Sequence, residues 1–207
     1  TYQSLFPEDL LEDNENSTFQ TINNYSSVND GYSSVLRAAG RDDDSGLEGV
    51  LVVTKTSGKE AKVKADKKYI NDLNSDGLNL YTNIVKNLDD YSRFNIIIEN
   101  VNKDNETTLK TANVNSGYLS SKENRNIDRT MVSINYEYDN AESDNFFDYA
   151  KVGAYIQNAY SEDDSVLRKK AVEANPKRGT AAVAEHTVSN DYDLKDDSIG
   201  ANLQFRN

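Results

Sequence analysis

Arg129-Thr130-Met131-Val132-Ser133-Ile134-Asn135-Tyr136-Glu137-Tyr138-Asp139 is the stretch whose reading decides the fold. Successive side chains of an extended chain point to opposite faces. Thr130, Val132, Ile134, Tyr136 and Tyr138 therefore share one face, opposite Met131, Ser133, Asn135, Glu137 and Asp139. A strand with one face packed and one wet is the direct reading, and such strands belong to antiparallel sheets.

Working outward, further strands are expected at Phe94–Val101, Val152–Gln157, Thr180–Val188 and Ile199–Phe205. Val50–Thr56 and Ala61–Ala65 are rich in β-branched or alternating apolar residues, and Ser57-Gly58-Lys59 between them predicts a hairpin turn. Lys103–Glu106 predicts a turn into a polar strand at Thr107–Val114, and Asn115–Asp128 reads as a long polar loop. Three segments predict helices. Pro7–Leu11 has Pro in its first turn. Leu78, Tyr81, Val85 and Leu88 recur at helical spacing. Ser165–Ala174 lies between Asp163-Asp164 and Pro176. Residues 1–45 scatter single apolar anchors (Leu5, Phe6, Leu10, Leu11, Phe19, Ile22) through Asn-, Asp- and Ser-rich sequence and read as an arm. The expected fold class is a β-dominated α+β chain: an antiparallel sheet or sandwich-like core, two or three short helices and an extended N-terminal arm. The expected division is an arm at 1–45 and a β-rich globular domain at 46–207.

Composition narrows function. The 207 residues contain no Cys and no Trp, one His and one Met, and the net charge is -12. Disulfides, thiolate metal sites and cysteine nucleophiles are excluded. Acidity argues against nucleic acid and anionic lipid surfaces as partners, since both attract Lys/Arg stripes. The longest basic cluster is only Arg168-Lys169-Lys170. No apolar run approaches the roughly 18–20 residues of a membrane-spanning helix, so no membrane span is expected. Thr1 in place of an initiating Met is expected to follow from processing. Leu, Ile, Val and Phe together are about 22% of the chain, just above the roughly 20% at which a charged chain stays disordered. A chain with so small a core gains from burial against neighbours.

The strongest local motif is Asp72-Leu73-Asn74-Ser75-Asp76-Gly77, the D-x-[DN]-x-[DN]-G start of a calcium loop. In such loops alternate oxygen donors converge on one cation and the Gly permits the sharp turn. Asp72, Asn74 and Asp76 are thus the candidate metal ligands, although Asn83 stands at the twelfth position where such loops use Glu. Calcium is the only cofactor the sequence suggests. Asp42–Asp44 and Glu162–Asp164 are acidic runs, the first a solvated turn and the second suited to a helix N-terminus. His186, between Glu185 and Thr187, finds no catalytic partner in its own strand, because neighbours face opposite ways. Thirteen Tyr offer rigid, amphipathic contact surface, and in a chain without Trp they are the natural platforms for sugar stacking.

No catalytic residues are expected, and the protein reads as non-enzymatic. The expected function is a structural subunit of a larger assembly, a virion capsid, tail or decoration protein or an extracellular polymer, held by arm and strand-edge contacts. Its partners would be copies of itself or other structural subunits, and its location a virion or the cell surface. The alternative is an extracellular adhesin or carbohydrate-binding module, calcium-supported through Asp72, Asn74 and Asp76.

Overall fold

The computed structural model describes residues 5–60, 72–109, 118–140, 147–174, 179 and 181–206. They form one eight-stranded antiparallel sheet in which each strand pairs with the next in sequence. The strands are β1 (Ser17–Ser26), β2 (Gly31–Asp42), β3 (Leu47–Lys59), β4 (Asp72–Asn87), β5 (Ser92–Leu109), β6 (Tyr118–Asp139), β7 (Tyr149–Lys169) and β8 (His186–Arg206). With 22 residues at about 3.3 Å each, β6 runs for roughly 70 Å. No second sheet covers this one among the described residues, and none of their strands pairs with the outer edge of β1 or β8.

The β-dominated expectation holds; the helices do not. The stretch expected as a helix over Leu78–Leu88 is strand β4 almost throughout. Leu78, Leu80 and Ile84 alternate there with Asn79, Tyr81 and Asn83, while β3 and β5 hydrogen-bond both edges. With apolar residues on both faces, a period of 3.6 and a period of 2 both fit, and pairing on two sides selects the strand. Ser165–Lys169 of the expected C-terminal helix ends β7, paired to β6 and β8. Glu162–Asp164 lies inside the same strand and caps no helix. The Pro7–Leu11 helix is a single 3₁₀ turn, Pro7–Asp9. Among the described residues no helix is long and apolar enough to cross a membrane.

The expected turns at Ser57–Lys59 and Lys103–Glu106 are continuous strand in β3 and β5, so the sheet is taller than the hydrophobic runs suggested. Tyr118–Asp128 of the expected loop is the first half of β6. Ala61–Ala65 and residues 110–117 lie outside the described residues. Thr180 does too; beyond it Val183 bridges Val172 and β8 starts at His186. Within 1–45, Ser17–Ser26 and Gly31–Asp42 are the first two strands, and residues 5–16 run across one face of the sheet. There Leu11 is buried with Ala39 and Val50, and Leu5, Leu10, Val52 and Tyr81 pack around them.

Candidate functional site: two unlike faces of one sheet

The register sorts the side chains into two populations. Ile84, Ile96, Ile134, Ala154 and Ala201 form one cross-strand row on one face. Ile98, Val132, Ile156 and Ile199 form the next. Most of these large apolar side chains are open, with only Ile98 and Val132 half-buried: Ile134 is 53% exposed, Ile156 58% and Ile199 82%. The opposite face shelters polar groups beside the buried Val50, Val85 and Ile97. Asn83 is 0% exposed, Asn95 2% and Glu99 6%. A water-soluble sheet buries the first set and exposes the second. This sheet does the reverse.

The apolar face is a band with edges. On β6 it runs Val132–Tyr138, on β7 Ala150–Ile156 and on β8 Ile199–Phe205. Beyond it the same face turns polar, through Thr130, Asn158 and Asp197. The band is oblique to the hydrogen-bonded rows. One row reads Leu36, Val53, Leu80 on β2–β4 and continues as Asn100, Thr130, Asn158, Asp197 on β5–β8. Another reads Lys86 on β4 and continues as Phe94, Tyr136, Val152, Leu203. The strands are therefore tilted relative to the band, as strands of a closed barrel tilt relative to its axis. Aromatic residues mark one margin: Phe94 and Tyr136 have ring centroids 5.1 Å apart, and Phe147 stacks on Phe205 at 4.7 Å.

The two ends of the sheet differ as well. Residues 43–46, 88–91 and 140–148 connect strands at the end bearing this aromatic margin. Residues 27–30, 60–71, 110–117 and 170–185 connect them at the other, where β6–β8 continue far past the band. In that extension charged groups pair in the open, as Arg125 does with Asp163 at 2.6 Å, which together with Glu123 holds the guanidinium above its ordinary pKa.

The polar face is a network. Asn95 Nδ2 donates to Asn83 Oδ1 at 3.1 Å, and Asn83 Nδ2 donates to the Leu5 carbonyl at 3.0 Å. The Tyr81 hydroxyl donates to that carbonyl and accepts from the Leu5 N–H. Burial pushes this hydroxyl up to about 12, with Glu99 adding to the shift. Arg129 pairs with Glu99 at 3.0 Å, and Arg93 reaches Glu8 at 2.8 Å and Glu137 at 3.4 Å while covering the Phe6 ring. Desolvation pulls Arg93 down, but Glu8 and Glu137 outweigh it and hold the group above its ordinary value. Lys151 joins Glu137 from the next strand at 3.7 Å.

The residues singled out from sequence lie elsewhere. Asp72, Asn74 and Asp76 occupy alternate positions of β4, on one face of an extended strand. Same-face neighbours there are roughly 7 Å apart, so the backbone strings these donors out in place of wrapping them around one ion. Asp76 lies 3.9 Å from Lys55 of β3. No group of three or more His, Cys, Asp or Glu among the described residues is arranged to hold a metal ion. His186 opens β8 exposed, its Nδ1 3.1 Å from the Ala184 carbonyl. Asn95, Glu99 and Arg93 were not singled out from the sequence, and Asn83 was noted only as the twelfth position of the calcium-loop motif. No family model matches the chain, and no curated protein matches it.

Proposed function

We propose that this sheet is part of the wall of a membrane-spanning β-barrel, with the Ile134 face toward lipid and the Asn135 face toward a polar lumen. The observation that carries this reading is the inversion of the two faces: exposed Ile, Leu, Val and Phe on one, buried Asn and Glu on the other. In hydrocarbon the apolar face is where it is most stable, and alternating strands with polar interiors are how barrels meet that solvent. An oblique band with an aromatic margin agrees with such a wall, as do the two longest connections, 60–71 and 170–185, both lying at the end away from that margin. The open edges of β1 and β8 must then be paired, to each other or to further strands, because lipid offers no hydrogen bonds. Residues 5–16 would lie inside, against the lumen wall.

Those same open edges favour the assembly reading reached from sequence, in which copies or other structural subunits join edge to edge in a virion or surface polymer. Flotation separates the two. Protein folded with phosphatidylcholine vesicles should float with them and stay bound through a carbonate wash, keeping its β-sheet circular dichroism. Large particles by light scattering, with no protein in the vesicle layer, would favour assembly and sink the barrel.

A further inference from the structure

We infer that the polar face carries a binding groove for an uncharged, polyhydroxylated solute of oligosaccharide type, on β5–β8 beside the N-terminal segment. Only its placement inside a lumen rests on the barrel reading. The groove is about 340 Å³, and its lining includes Asn95, Glu99, Arg129, Met131, Asn135 and Asn202. That is within the size range of small-ligand sites.

The charges here are already matched. Glu99 is held by Arg129, and Lys151 at the rim by Glu137. A charged solute would have to displace one of these partners. What remains for a ligand is carboxamide, hydroxyl and ring surface. Gly153 makes the groove possible. Asn135 and Asn202 lean over it from β6 and β8, their carboxamides occupying the space where a Cβ would stand. Two carboxamides thus converge above Gly153, and between them they offer carbonyl acceptors and NH2 donors to ligand hydroxyls, which both donate and accept. Two residues along β7, in the next row of the same face, the Tyr155 ring lies over Gly200 in the space a Cβ would take, and stays 39% exposed. An open tyrosine ring beside amides matches a sugar, which has an apolar C–H face and a rim of hydroxyls that donate and accept.

The test titrates maltotriose, cellotriose and chitotriose calorimetrically into the folded protein, with inorganic phosphate and citrate as charged comparators. At least one trisaccharide should bind saturably. Gly153→Ala, which displaces both amides, and Tyr155→Ala should each weaken it on the order of tenfold, while Tyr155→Phe keeps it. Circular dichroism must stay unchanged in all three variants. Saturation by none of the trisaccharides, by the anions alone, or equally in wild type and both alanine variants would overturn the proposal. Trisaccharide binding that responds to Gly153→Ala in protein that fails to float with vesicles would refute the barrel and leave the groove standing.

Discussion

The two halves of β6 share one backbone and one pairing pattern but face different surroundings. Arg129–Asp139 alternates apolar with polar, and on its apolar face Ile134 is open while Val132, Tyr136 and Tyr138 are half-buried. Residues 119–128 have Lys122, Asn124, Asn126 and Asp128 on the continuation of that same apolar face. Both halves are paired to β5 and β7. Backbone hydrogen bonding is therefore indifferent to the change, and the side chains report the solvent on each side. On the proposed reading the solvent is apolar where Ile134 stands and water where Asn126 stands.

Charging the two halves should break that equivalence most visibly. Ile134→Arg is expected to cost about 2–4 kcal/mol of folding stability in vesicles, the range for a cation on the lipid face of a barrel. Asn126→Arg, eight residues along the same face, should stay within about 0.5 kcal/mol, as exposed polar positions do. Urea midpoints in the presence of lipid give both numbers. Equal effects would erase the boundary between the halves.

A smaller effect is expected on the sheltered face. Arg93→Met removes the contacts to Glu8 and Glu137 and leaves the sheltered Glu137 with Lys151 as its ion-pair partner, at about 1–3 kcal/mol. Amide exchange in residues 5–12 should quicken while β6 stays protected. Glu8→Gln, at an exposed end of the pair, should change exchange far less. If Arg93→Met leaves these amides unchanged, the segment is held by Leu11 and its apolar neighbours alone.

The smallest effect is a pH dependence at Tyr81. Its hydroxyl is raised from 10.0 to about 12 in the folded state, so folding holds that proton more tightly than the unfolded chain does. The stability it contributes is whole below pH 10 and is lost as pH climbs toward 12. Tyr81→Phe should flatten the urea midpoint across that interval relative to wild type. An unchanged slope would mean that the hydroxyl is not buried in solution.

The alternation at Thr130–Tyr138 made β6 legible in sequence, and with it the antiparallel sheet. What stayed hidden was which face is wet. Period-2 patterning says that two faces differ, but it is the same whether the apolar one meets a core or lipid. β4 misled because Tyr81 and Val85 sit on the polar face under the N-terminal segment, completing a helical repeat with Leu78 and Leu88. In β5 the run Ile96-Ile97-Ile98 masks the alternation of Asn95 and Glu99 with their neighbours, and these two polar residues are buried together with Ile97 between them. The Asp72–Gly77 motif was readable as letters, but its meaning depended on a turn, and β3 and β5 hold that segment extended.

The absence of native Trp allows the central claim to be read by fluorescence without background. Single Trp residues at Ile134 and at Ser133, neighbours on opposite faces, would be folded into vesicles containing lipids brominated along the acyl chain. The account predicts strong quenching of Ile134→Trp and little of Ser133→Trp. Equal quenching at both positions, or quenching at neither, would contradict it.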